Sequence, residues 1–286
     1  MAGIIQMDFD LRTCDAAFDF VLEFMRMTPD DFTVEYKIDS KNDFETFWNR
    51  NFQIIDDVDI SELRIIAFHV LGSLDNCDEI KANGLCNLQT VLSSNTIFSR
   101  LLKEKGIYFD ITNKILHAGS IDYDIDYEHY KNRHFLTGDA EALKNIAHRV
   151  YYDYCVNGFL VNDNVYNYGT DIHKRPEFFI DLCRLIPVVQ EIESYWKNSA
   201  ESYRIDFYAT IDQVHRFNFD LDEFRDPPYD DWFDLLDDMK IKKWMLSHAI
   251  DRAYDQLYSE LFLYIKDDCF ISPEQILSYS KIEKDK

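Results

Sequence analysis

The sequence predicts an α+β fold, and three observations carry that expectation. Stretches with apolar residues at helical spacing are interspersed with short apolar or alternating runs that read as strands, and Leu63–Leu92 changes period twice within thirty positions. Hydrophobic residues make up 47% of the 286 positions and aromatics 15%, enough for a large core. Only 8 Gly and 6 Pro are spread along the chain, so long flexible linkers are not expected.

Residues 13 to 26 place Phe18, Val21, Leu22 and Met25 on one face of an amphipathic helix, with Thr28-Pro29 as its stop. Phe32 to Ile38 alternates as a strand, and Asp43 to Phe52 reads as a short helix carrying Phe44, Phe47 and Trp48. These first residues, 1–60, are expected to form an N-terminal cap on a main domain spanning 61–286. Leu63 to Val70 is a β-branched and aromatic run bounded by Gly72-Ser73, which reads as a buried strand. Asp75 can cap the short helix that follows, and Asn83-Gly84 supplies the left-handed residue that ends it.

Asn95 to Lys105 is a helix closed by Gly106, and 107 to 136 reads as short strands with an exposed loop. Asp139 to Tyr154 returns to helix, with Asn157-Gly158 as its end. Phe159 to Val161 and Val165 to Tyr168 are expected to pair as strands, and Tyr203 to Val214 alternates like a half-buried strand. Ile241 to Tyr258 is helical, Glu260 to Ile265 fits a strand, and Ser272-Pro273-Glu274-Gln275 is a capping box with Pro at the first helical position.

The balance of 30 basic against 53 acidic residues gives a formal net charge of −23. That field repels nucleic-acid phosphates and anionic membranes, so direct stable DNA binding is disfavoured and basic partners are favoured. The six cysteines (Cys14, Cys77, Cys86, Cys155, Cys183, Cys269) lie far apart without a C-x-x-C pair and read as reduced, mostly buried thiols. No apolar run approaches the length of a membrane span and no signal-like start is present, so a cytoplasmic protein is expected.

No Gly-rich phosphate loop, nucleophile elbow or H-E-x-x-H pair occurs. His129 and His134, among acidic neighbours, read as a polar loop, and no metal is assigned. His173-Lys174-Arg175 is the compact basic cluster, and Arg175 beside Tyr166 and Tyr168 would suit a dinucleotide.

His69, followed by Ser73 and then by Ile80-Lys81-Ala82-Asn83-Gly84-Leu85, resembles the opening of the ADP-ribosyltransferase-like toxins. In that family a first-strand histidine precedes a small polar residue and an I-x-x-x-G-L helix end. Ser259-Glu260-Leu261-Phe262-Leu263 and Ile271-Ser272-Pro273-Glu274-Gln275-Ile276 are similar to the family's late glutamate strand and its closing P-x-x-I turn. The resemblance implies a split, mostly antiparallel sheet with peripheral helices, and NAD as the substrate. His69 would then help hold the ribose or nicotinamide end, and Glu260 would be the catalytic glutamate. The family's middle aromatic falls on Tyr166 or Tyr168, with Tyr208 behind them. An activity of this kind would suit a bacterial or phage-related toxin or defence factor, with a protein or nucleic acid accepting the ADP-ribose. The alternative from the residues alone is a non-enzymatic acidic inhibitor or mimic, whose Phe217–Met239 stretch docks on a basic partner.

Overall fold

The computed structural model describes residues 7–221, 235–254 and 260–283. The described strands are β1 (Asp8–Asp10), β2 (Arg64–Ser73), β3 (Ile107–Asp110), β4 (Ile115–Ala118), β5 (Ile121–Asp124), β6 (Asn157–Asn162), β7 (Glu201–Thr210), β8 (Glu260–Tyr264) and β9 (Ile276–Lys281). One sheet has the order β8-β6-β2-β7-β9, with β1 pairing β2 in parallel; β3-β4-β5 form a separate antiparallel sheet. β7 and β9 run antiparallel, with a shift of register at Asp206/Phe207. The fold is therefore mixed α+β, with a mostly antiparallel sheet and helices around it.

The chain divides into two compact units. The first comprises Met1–Ala67, Gly158–Asp163 and Tyr208–Tyr264; the second comprises Phe68–Asn157, Asn164–Phe207 and Ile265–Lys286.

In the first unit, Thr13 caps the helix Cys14–Met25 by accepting from the Ala16 amide at 3.1 Å. That helix packs along Asp237–Ala253, and Phe9 sits edge-on to Phe20 with centroids 5.1 Å apart and 5.9 Å from Trp244. Two lysines of the later helix are buried and paired: Lys242 donates to the Asp56 carbonyl and to Asp238, and Lys243 donates to Glu45 at 2.8 Å. Pairing of this kind offsets the desolvation that would otherwise exclude a lysine from a core.

The strand expected over Phe32–Ile38 is instead helical. Thr28 and Asp31 form a capping box that starts Pro29–Phe32, and the chain continues as a π-helix over Thr33–Asp39, closed by a Ser40 amide to Glu35 carbonyl bond of 3.0 Å. Of the alternating apolar positions, Val34 and Ile38 are exposed, while Phe32 and Tyr36, four apart, are buried and stacked 5.3 Å apart. The buried pair obeys a helical period, and the apparent alternation came from two solvent-facing residues.

In the second unit a hydrophobic cluster gathers Phe98, Phe179 and Trp196, with centroids between 5.0 and 5.9 Å, under the helices Ile97–Glu104, Asp139–Tyr151, Phe179–Leu185 and Val189–Ser199. Trp196 Nε1 donates to the Gly72 carbonyl at 2.8 Å, which satisfies the indole within this core. Asn157-Gly158 does not end a helix; it begins β6. Val165–Asn167 is a single 3₁₀ turn and not a strand, because the Asn164 side chain accepts from the Tyr166 amide at 3.0 Å and turns the chain locally. The Ser272–Gln275 box forms as expected but holds one 3₁₀ turn, after which the chain extends into β9.

Most of the acidic stretch Phe217–Met239 lies outside the described residues, as does Ser259. No helix among the described residues is long and apolar enough to cross a membrane.

Candidate functional site

β2 is buried along most of its length, and His69 is the polar residue in its apolar run. Its Nδ1 lies 2.8 Å from the Asn157 carbonyl oxygen. A carbonyl only accepts, so Nδ1 carries the hydrogen and Nε2 is left as an acceptor in the neutral ring. Burial lowers the pKa of this histidine, and the bond to Asn157 works only partly against it.

The helix Asp78–Asn83 comes next. Its entry is organised by Ser73, whose hydroxyl donates to Asp75 at 2.8 Å and accepts from the Cys77 amide at 2.8 Å. The Asp75 carboxylate accepts from the Glu79 amide at 2.8 Å, so the capping role expected of Asp75 is present, but the regular turn starts three residues later. The helix ends at Gly84, whose φ of 77° is one that side chains rarely adopt. There the chain meets a distant partner: Leu85 N donates to the Ile271 carbonyl at 2.9 Å, and Ile271 N returns a bond to the Leu85 carbonyl at 3.0 Å. A methyl group on Gly84 would overlap the Ile271 carbonyl oxygen.

His69 and this helix end open onto a cleft of about 660 Å³ within the second unit. Leu71, Ile80, Leu85, Val91 and Phe270 give it apolar walls, while Thr90, Ser94, Asn95 and Thr96 add neutral polar groups. Glu79 also lines it. One of its carboxylate oxygens accepts from the Ile97 amide at 2.9 Å, at the first turn of the helix Ile97–Glu104 that Thr96 caps. Burial raises the Glu79 pKa; the Ile97 bond opposes this, Asp75 adds to it, and Arg100 subtracts. Cys86, on the same wall, has its thiol pKa pushed up by burial and by the Glu79 charge, which lowers its thiolate fraction without closing it to slow alkylation.

The other sequence-predicted residues lie elsewhere. Ser73 is buried, and its hydroxyl is occupied by the turn it organises. Tyr166 meets the His173 ring edge-on at 4.8 Å, and Tyr168 follows it at the end of the 3₁₀ turn. Arg175 is buried, with its Nε 2.6 Å from Glu193, which also pairs with Lys197 at 3.1 Å. Its guanidinium thus has a structural anion in place of a phosphate. Glu260 opens β8 in the first unit, exposed, and accepts from the Asn162 amide side chain at 3.1 Å. His129, in its polar loop, pairs with Asp124 at 2.6 Å. Of the predicted residues, His69 alone is on the cleft lining.

Sequence reasoning missed Glu79. The available signal was its spacing: Glu79 and Asn83 are one helical turn apart, on the side of the helix that also carries Ile80 to the cleft. Comparison of the chain with protein-family models, with curated proteins and with solved structures returned no match.

Proposed function

We propose that the chain is an NAD-consuming enzyme of the ADP-ribosyltransferase-like kind, whose His69 cleft receives the nicotinamide end of the dinucleotide. One observation carries this reading: the reciprocal hydrogen bonds between Leu85 and Ile271, which join the helix end of the first motif to the closing turn of the second, beside the cleft that His69 lines. The bridge brings together two patches chosen for a family likeness, and in that way it supports the reading.

The cleft suits the chemistry asked of it. Cleaving the bond between nicotinamide and ribose moves positive charge onto the sugar as an oxocarbenium-like state, and a carboxylate near that carbon stabilises it. His69 Nε2 is an acceptor for a ribose hydroxyl, held in one tautomer by Asn157. Apolar walls fit a flat ring and limit water. Glu260 carries the role of stabilising carboxylate on the resemblance alone, as the match to the family's glutamate. A toxin or defence role, and a macromolecular acceptor for the ADP-ribose, belong to the same proposal.

The test is nicotinamide release from NAD by the purified chain, its Glu260→Gln variant and its His69→Ala variant. Glu260→Gln is expected to lower release by about a hundredfold or more, the usual cost of removing a group that acts on transition-state charge. Absence of release from the wild-type chain, together with no NAD binding by calorimetry, would overturn the reading.

A further inference from the structure

The electrostatics of the cleft select among ligands more sharply than its shape does. Among the described residues that line it, Glu79 is the only one with a formal charge at neutral pH, and none is Lys or Arg. His69 is kept uncharged by burial and by its bond to Asn157, so it does not cancel the carboxylate. The Ile97 amide engages one carboxylate oxygen of Glu79, which holds the group at the cleft lining. The walls are apolar, and the exposed ring of Phe270 stands on the lining. A negative charge fixed on a partly apolar, aromatic-edged surface is the environment that attracts a flat organic cation. A phosphate would meet a carboxylate there, with no cation on the lining to receive it.

We infer that this cleft is a binding site for a flat, singly charged organic cation of the N-alkylpyridinium class, with Glu79 as its counter-charge and the phosphates of any attached nucleotide held outside the cleft. The inference rests on the proposed reading only in naming the pyridinium as the nicotinamide of oxidised NAD. Glu79 is then a binding residue, distinct from Glu260, which is assigned to the reacting sugar. The site discriminates the oxidised from the reduced ring by charge, since the two forms share their sugar and nearly share their shape.

The experiment uses nicotinamide riboside and its neutral dihydro form, titrated calorimetrically into the full chain. The wild-type protein is expected to prefer the cation by about tenfold, equivalent to about 1.4 kcal/mol. In Glu79→Gln the amide oxygen can still accept from Ile97, so the helix start is preserved while the charge is lost, and the preference should fall to near unity. A second measurement needs no variant: alkylation of Cys86 in the wild-type chain, followed by mass spectrometry, should be slowed by the cation and not by the dihydro form. Equal binding of both forms to the wild-type chain, a preference that persists in Glu79→Gln, or failure of both to bind or protect Cys86, would each overturn the inference. Cation preference without nicotinamide release would leave the site standing and the proposed enzyme fallen. Release without cation preference would do the reverse.

Discussion

Glu79 and Glu260 are two carboxylates in opposite circumstances. Glu79 sits on a cleft wall, tied to a backbone amide, in surroundings that raise its pKa. Glu260 opens a strand at the end of the sheet order, exposed, with one side-chain hydrogen bond from Asn162. A motif points to Glu260; Glu79 is marked chiefly by its environment. The difference teaches that likeness of sequence and perturbation of chemistry are separate kinds of signal, and a site hypothesis is strongest when each is tested for what it claims.

The sharpest way to break the comparison is to remove the structure that presents Glu79. Gly84→Ala forces a side chain onto a positive φ and into the Ile271 carbonyl, so it should destabilise the chain by roughly 3 kcal/mol or more in urea unfolding. A change within experimental error would mean that the Leu85–Ile271 junction does not hold the helix end.

A smaller effect separates the cleft by pH. His69 has a lowered pKa in the folded chain, so the unfolded chain takes up the proton first as pH falls from the ordinary value of 6.5. The stability that depends on neutral His69 is therefore complete above that value and is lost on acidification. His69→Gln should flatten this part of the stability profile; an unchanged slope would reject the buried neutral ring.

Glu79 carries the opposite sign. Its raised pKa means that the folded chain holds the proton to higher pH than the unfolded chain, so stability declines as pH rises through the range above an ordinary glutamate. Glu79→Gln does not ionise, and its stability relative to wild type should increase through that range and then level off. The smallest change belongs to Glu260→Ala, within about 0.5 kcal/mol, as for most exposed side chains. A large loss there would show that the Asn162–Glu260 contact carries structural weight.

What the sequence made legible is local. The helix Cys14–Met25, the strand carrying His69, the helix stop at Gly84 and the box at Ser272 each depend on residues within a few positions of one another. The π-helix over Thr33–Asp39 was hidden because its exposed apolar residues imitate alternation. β9 was hidden because a capping box normally announces a helix, and here the chain leaves after one turn to pair with β7. For the site, His69 could be read from its place in an apolar strand. The engagement of Arg175 by Glu193 and the contact of Glu79 with the Ile97 amide are products of tertiary folding, and no spacing in the sequence encodes them.

The junction of Leu85 with Ile271 also sets a schedule. On a ribosome, the helix end beside His69 is made early, but the backbone that pins it is made close to two hundred residues later, a delay on the order of 10 s or longer at usual rates of synthesis. Until then the wall that carries Glu79 and Ile80 lacks its anchor. A chain that has not yet reached Ile271 would hold an unfinished cleft, so the lining around His69 is completed only after Ile271 has been made.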